Sequence, residues 1–162
     1  MKKDTTRYVA FGGIIAALYV VLTYVANLFG LASGAIQVRL SEALTILPVF
    51  TTAAIPGLAV GCVLANLLTG CLPLDVIFGS LATLIGAIGT RKLRNKPYLA
   101  WIPPVISNAV IVPFVLLYYA NEYQVSSPWI ILVLTVGAGE IISCGLLGLM
   151  LYQSLKKARI EF

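Results

Sequence analysis

The sequence predicts an all-α membrane protein that forms a single domain over residues 1–162. Two observations on composition lead to this prediction: 60% of the residues are hydrophobic and only 10% are charged, whereas soluble domains carry about 25% charged residues. The mean hydropathy of +0.99 agrees with it. Because a spanning helix needs about 20 residues, the chain has room for six spans but not for a soluble catalytic domain.

The positive charges supply a third observation, since they cluster beside the apolar segments. Ten of the eleven Lys and Arg residues fall into three basic groups: Lys2, Lys3 and Arg7; Arg91, Lys92, Arg94 and Lys96; Lys156, Lys157 and Arg159. Basic groups at the ends of apolar spans favour the cytoplasmic side of a membrane. The net charge of +5 therefore indicates membrane topology rather than nucleic-acid binding.

Helix breakers divide the apolar sequence into six predicted spans. We place them at residues 7–29, 41–52, 56–69, 74–90, 101–120 and 128–151. The uncharged run between Glu42 and Asp75 becomes two short helices because Pro56 and Gly57 interrupt it, and proline removes a helical hydrogen bond. With this division all three basic groups face one side, so both termini are expected in the cytoplasm.

Small residues recur at four-residue spacing on three of these spans. They are Gly12 with Ala16 and Gly13 with Ala17 on the first span, Gly57, Gly61, Ala65 and Thr69 on the third, and Ala82, Gly86 and Thr90 on the fourth. Such ridges allow helix backbones to approach closely in lipid. We expect packing inside the bundle from the third and fourth spans, whereas the first span is a candidate docking face for another subunit.

Polar side chains inside the apolar sequence define the candidate site. A charge at the bilayer centre costs at least about 2.5 kcal/mol, and Glu140 lies near the middle of the sixth predicted span. The remaining candidates are Gln37, Arg39, Glu42, Asn66, Asp75 and Asn108. Purely structural roles are open alternatives for them: an ion pair of Arg39 with Glu42, a helix N-cap at Asp75, and bridging between helices by the two asparagines.

The charge balance of this region indicates the kind of ligand that it would hold. Glu42, Asp75, Glu122 and Glu140 fall in the outer half or near mid-depth, and Arg39 is the one cation among them. A net negative site favours a cationic ligand or one rich in N–H donors. The chain has no histidine and no GxSxG, HExxH or P-loop motif, so we predict neither an enzyme nor a bound metal or cofactor.

Five short segments carry a resemblance to a known family. They are AIQVRLSEALTILP (residues 35–48), AIPG (54–57), GC (61–62), ANLLTG (65–70) and FGSLATL (78–84). With these segments the chain resembles the queuosine-precursor transporter (QueT) family, whose members are substrate-binding S components of energy-coupling factor (ECF) transporters. The resemblance implies a six-helix S-component bundle in the bacterial cell membrane. It also implies two kinds of partner: a membrane scaffold subunit and a pair of cytoplasmic ATPases.

The resemblance further implies a 7-deazaguanine ligand, such as queuine or 7-aminomethyl-7-deazaguanine, and suggests roles for the candidate residues. Glu42 and Glu140 would accept hydrogen bonds from the guanine edge and from a ligand ammonium. Asn66, Asn108, Gln37 and Arg39 would meet the ligand carbonyl and ring nitrogen, and Phe78 or Tyr119 would stack on the ring. The scaffold would dock on the first helix at Gly12, Gly13, Ala16 and Ala17.

Three other functions fit the same sequence. The chain could be an S component for another vitamin-like compound, although Arg39 alone would serve an anionic ligand. It could be an ion-coupled secondary carrier that uses Glu140, which would transport without ATPase partners. It could also be a structural membrane subunit that binds no small molecule.

Overall fold

The fold is a bundle of helices of unequal length. The computed structural model describes residues 2–31, 37–122 and 128–158, with side chains described for residues 5–31, 37–119 and 128–158. Its elements are α1 (Lys2–Leu28), a 3-10 helix (Leu40–Val49), α2 (Ala54–Leu68), α3 (Pro73–Lys92), a 3-10 turn (Pro97–Leu99), α4 (Ile102–Glu122), α5 (Trp129–Glu140), a π-helical segment (Ile141–Leu147) and α6 (Gly148–Lys157). The described residues contain no strand, which confirms the all-α prediction for them. Residues 123–127 of the predicted outer loop and Arg159 lie outside the described residues.

Four helical stretches are long and apolar enough to cross a membrane. They are Thr5–Leu28, Pro73–Lys92, Pro97–Tyr119 and Trp129–Lys157. The other two predicted spans are shorter apolar helices: the 15 residues of α2 rise about 22 Å against a hydrocarbon core of about 30 Å. The helices match the six predicted spans in position, while the count of six complete spans stays a prediction.

The second predicted span forms the 3-10 helix, which lies inside the bundle. Its residues 41–48 are all buried, and it contacts α1, α2, α3, the π-helical segment and α6. At its carboxyl end the Arg91 Nη1 donates hydrogen bonds to the carbonyl oxygens of Pro48 at 3.0 Å and Val49 at 3.3 Å. These bonds satisfy carbonyl groups that a helix end otherwise leaves without an intrahelical partner.

Close packing of α1 on α2 depends on small residues, as predicted for the third span. A Cβ atom added at Gly57 would lie 2.7 Å from the Gly12 carbonyl oxygen. One added at Gly61 would lie 3.0 Å from the Ala16 Cα. Backbones in such proximity gain dispersion contacts that the lipid cannot supply. The ridge on α3 is used in the same way against α4, since a Cβ at Gly86 would lie 2.6 Å from the Pro104 Cα.

The predicted docking face on α1 is divided between two environments. Gly12 and Ala16 face α2 and contribute to the interior of the bundle. Gly13 has no atom within 4 Å of an added Cβ, and Ala17 is exposed on the same side. Of the four residues, Gly13 and Ala17 are therefore the pair left accessible to another subunit.

The described parts of the three basic groups lie at one end of the bundle. The Tyr8 hydroxyl near the start of α1 donates to the Thr52 carbonyl oxygen at 3.3 Å, just beyond the 3-10 helix end that Arg91 contacts. The ring of Tyr152 in α6 packs on Phe50 at the same end, with ring centroids 5.4 Å apart. The prediction of two helices within residues 41–69 required all three basic groups to lie at one end of the bundle. The described members of these groups do so. Its assignment to the cytoplasm stays a prediction.

We expect Gly57→Ala to destabilise the protein, because the new methyl group meets backbone rather than a flexible side chain. Overpacking of this kind costs about 1–3 kcal/mol, so the midpoint of thermal unfolding in detergent should fall measurably. Gly13→Ala is the matched control on α1 and should leave the midpoint unchanged or slightly raised. Equal midpoints for the two variants would show that the α1–α2 contact is looser than described.

Candidate functional site

A cavity of about 310 Å³ lies at the end of the bundle opposite the basic groups. Its wall combines the carboxyl-terminal part of α1, the segment before the 3-10 helix, the turn between α2 and α3, and the last turns of α4. Polar lining residues are Tyr19, Thr23, Asn27, Gln37, Arg39, Ser41, Asn66, Thr69, Asp75 and Tyr119. Small-molecule sites in proteins begin at about 300 Å³, so this volume suits a compact ligand.

Five of the predicted site residues line this cavity although they are scattered along the chain. They are Gln37, Arg39, Asn66, Asp75 and Tyr119. The Asn66 amide donates to the Asp75 carbonyl oxygen at 3.4 Å, and the Tyr119 hydroxyl oxygen accepts the Leu74 N–H at 3.2 Å. Helices α2, α3 and α4 are thus connected by polar contacts directly at the cavity wall.

Arg39 forms an ion pair with Asp75, not with Glu42 as the alternative from sequence had it. The Arg39 Nη2 and Asp75 Oδ2 atoms are 3.6 Å apart. Arg39 has an extended backbone, with φ of −100° and ψ of 99°, just before the 3-10 helix begins. The helical rule that pairs side chains three residues apart therefore does not apply to Arg39 and Glu42. Asp75 is likewise not an N-cap: Leu72 occupies that position, and Asp75 sits in the first turn of α3.

Glu42 lies behind the cavity wall, with 0% of its surface exposed. Its Oε1 atom accepts hydrogen bonds from the Tyr19 hydroxyl and from the Thr83 hydroxyl, the latter at 3.2 Å. Tyr19 lines the cavity, so its ring stands between the cavity and the Glu42 carboxyl. In this arrangement Glu42 joins the 3-10 helix to α1 and α3.

Glu140 and Asn108 are also buried, at 4% and 1% exposure. Glu140 borders a second void of about 10 Å³ together with Gln37 and Arg39, a volume near that of a single water molecule. The Asn108 Nδ2 atom has no hydrogen-bond partner among the described residues. Phe78 borders neither cavity and is 41% exposed, so of the two predicted stacking residues only Tyr119 reaches the large cavity.

The described residues bring together one group of side chains of the kinds that bind metals. Ligand atoms of Glu42, Glu140 and Cys144 lie within 4.8 Å of one another. The Cys144 thiol donates to the Glu140 Oε2 at 3.2 Å and approaches the Thr45 hydroxyl at 3.4 Å. We interpret the group as a buried hydrogen-bonded network that holds the 3-10 helix against the π-helical segment.

The segment carrying Gln37 and Arg39 is held in place by the long carboxyl-terminal helix. A Cβ atom at Gly139 would overlap the carbonyl oxygen of Gln37, so glycine is required for the two backbones to meet. The Arg39 N–H donates to the Ser143 hydroxyl oxygen at 3.2 Å. The contacts position the Arg39 side chain between the two cavities.

Sequence reasoning missed the contribution of α1 to the site. Tyr19, Thr23 and Asn27 all line the large cavity, and Thr23 donates to the Ser41 hydroxyl at 2.9 Å. A usable signal was present, because Tyr19 and Thr23 continue the helical face of Gly12 and Ala16 at spacings of three and four residues. Polar residues on the packed face of an apolar helix indicate a wet interior.

The described residues form a helical bundle with four apolar helices of membrane-spanning length and a charged pair at an internal cavity, the architecture of a helical membrane protein. A family model described as "QueT transporter" matches residues 9–157. The chain therefore belongs to the QueT transporter family, a family of transporters and not of enzymes.

The chain is also similar to a curated protein over part of its length. The chain is 39% identical over 85 residues to the queuosine precursor transporter QueT of Lactococcus lactis subsp. cremoris (strain MG1363). That alignment covers 52% of this chain and 50% of the relative, so it spans about half the length of the relative. No solved structure matches the chain.

We expect Gly139→Ala to weaken binding at the cavity, because the added methyl group would push the Gln37–Arg39 segment off α5. The variant should remain folded yet bind ligand at least about tenfold more weakly, since a displaced Arg39 would leave polar groups of the ligand without a partner. Gly137→Ala is the matched control, where the new Cβ would lie 3.8 Å from the Ala109 Cβ in ordinary contact. Titration calorimetry in detergent would compare them, and equal affinities would contradict the positioning role of Gly139.

Proposed function

We propose that the chain is the substrate-capture S component of an ECF importer and that it binds a queuosine precursor in the 310 Å³ cavity. The observation that supports this most is the position of Arg39 and Asp75, an oppositely charged pair at the wall of the cavity. Family membership supports the transport role. The name of the Lactococcus lactis relative supports the substrate class.

A 7-deazaguanine suits the chemistry of the cavity. The guanine edge presents a carbonyl acceptor beside two N–H donor groups, and the lining offers both a guanidinium and a carboxylate. Tyr119 and the apolar side chains of Val115 and Leu116 provide a surface for the flat ring on the α4 side. Polar groups of both kinds, donors and acceptors, fix the orientation of a ligand in such a site and provide selectivity.

The orientation that we propose makes the cavity face outward. Basic residues lie at the opposite end of the bundle, and positive groups favour the cytoplasmic side. The two termini would then be cytoplasmic, and six spans would cross the membrane. The two short helices, Leu40–Val49 and Ala54–Leu68, would end below the membrane surface. A ligand arriving from outside would meet the cavity first.

Transport by this chain would depend on partner subunits. The sequence has no P-loop motif, so the energy of ATP hydrolysis would come from two cytoplasmic ATPases acting through a membrane scaffold. The exposed pair Gly13 and Ala17 offers a flat surface on α1 for that scaffold. Flat small-residue faces associate in lipid because they permit close backbone contact.

Filling the cavity should abolish capture of the ligand. Ala26 lines the cavity, so the ring in Ala26→Phe would occupy ligand space. Binding of 7-aminomethyl-7-deazaguanine should weaken at least about tenfold, because an overfilled site has to rearrange before it can bind. Val21→Phe is the control on the same helix, since Val21 is exposed on the other side. Unchanged affinity in Ala26→Phe would place the ligand elsewhere.

A bulky residue on the outer face of α1 should separate capture from transport. Ala17→Trp should bind 7-aminomethyl-7-deazaguanine like the wild type, but uptake into cells that carry the scaffold and ATPases should fall several-fold because the flat face is lost. Val110→Trp on the exposed face of α4 is the control and should transport normally. Gradient-driven uptake by the chain alone in liposomes would contradict the S-component proposal and favour an ion-coupled carrier.

A further inference from the structure

Asp75 is the acidic side chain in the lining of the large cavity, and its carboxylate has few polar partners. Its Oδ2 atom has the contact with Arg39 at 3.6 Å, well beyond the 2.7–2.9 Å that is typical of charge-assisted N–H···O bonds. Its Oδ1 atom is buried and has no hydrogen-bond partner among the described residues. A carboxylate accepts up to about four hydrogen bonds, so most of the capacity of Asp75 is unused.

The two acids that the sequence favoured for ligand recognition differ from Asp75 in position, because neither lines the large cavity, although the Glu42 Oε2 atom is likewise without a hydrogen-bond partner among the described residues. Glu42 is fully buried behind Tyr19 and does not border either cavity. Glu140 borders the small void and accepts a hydrogen bond from Cys144. Asp75 is the acid on the wall of the large cavity. Donor groups of a ligand in that cavity would reach the Asp75 carboxylate once its buried Oδ1 atom turns toward the cavity.

We propose that Asp75 is the specificity-determining residue of the site and that ligand binding exchanges its long contact with Arg39 for two direct hydrogen bonds from the ligand. The ligand class is a planar heterocycle that carries two adjacent N–H donor groups beside a carbonyl. The donors pair with the Asp75 carboxylate, and the carbonyl accepts from the Arg39 guanidinium. This inference rests on the proposed function and assigns the recognition of its ligand to this pair.

The surroundings of both side chains permit this exchange. Rotation about the Cβ–Cγ bond of Asp75 is broad and nearly two-fold, so either carboxylate oxygen can turn to the ligand. Arg39 is fixed by its backbone, through the bond to Ser143, while its side chain lies on the wall of both cavities. Its guanidinium can therefore move from Asp75 to the ligand carbonyl while the main chain stays in place.

The test compares two ligands that differ by one donor group: 7-aminomethyl-7-deazaguanine and its analogue without the 2-amino group. The wild type should bind the first at least about tenfold more tightly, because the analogue leaves a carboxylate oxygen without a partner. In Asp75→Asn this preference should shrink to within about threefold. The amide has one acceptor oxygen, and its NH2 group would face an N–H donor of the ligand instead of accepting a hydrogen bond from it. Arg39→Gln removes the same ion pair but should keep the preference, because both ligands share the carbonyl.

Each outcome decides between the recognition role and a merely structural one. If Asp75→Asn weakens both ligands equally, Asp75 only supports the cavity and the inference is wrong. If Asp75→Asn does not fold, two other results would still contradict the inference. One is equal binding of the two ligands by the wild type. The other is a full preference for the ligand with the 2-amino group in Asp75→Ser. If the folded wild type binds neither ligand, the proposed function itself fails, which distinguishes the two claims.

Discussion

Burial of the 3-10 helix Leu40–Val49 is the constraint on which the rest of the structure depends. This helix contacts the long helices on several sides, and its residues 41–48 are buried. Its own polar side chains therefore need partners inside the bundle. Glu42 accepts hydrogen bonds from Tyr19 and Thr83, and Ser41 accepts one from Thr23. A buried polar group without a partner costs about 1–3 kcal/mol, so these bonds fix both the rotation and the depth of the helix. The extended residues that precede it are thereby placed at the cavity.

Sequence reasoning was sufficient for the fold class and for much of the cavity. Hydropathy and the breakers Pro56 and Gly57 located the helices, and the small-residue ridges on α2 and α3 predicted close packing. Charged and amide groups in apolar sequence are rare because they are costly, which is why Arg39 and Asp75 stood out before any coordinates were known.

What sequence could not supply was the direction in which each side chain faces. Arg39 and Glu42 are three residues apart, which suggested a pair, but the helix begins between them and they face different neighbours. Phe78 was suggested as a stacking residue through the family resemblance, yet it lies on the exposed face of α3. Such directions depend on where a helix starts and how it is rotated against others, and periodicity alone determines neither.

The contact of Arg91 with the carboxyl end of the 3-10 helix means that this helix reaches from the cavity to the basic end of the bundle. A 3-10 helix rises about 2.0 Å per residue, so its ten residues span about 20 Å. Arg39 lies just before one end, and the Arg91 guanidinium is hydrogen-bonded to the other. Residues 41–48 are buried among the helices around them, and the Arg91 contact is where this helix meets the basic end of the bundle. The 3-10 helix therefore connects the residues at the cavity directly to the basic end of the bundle.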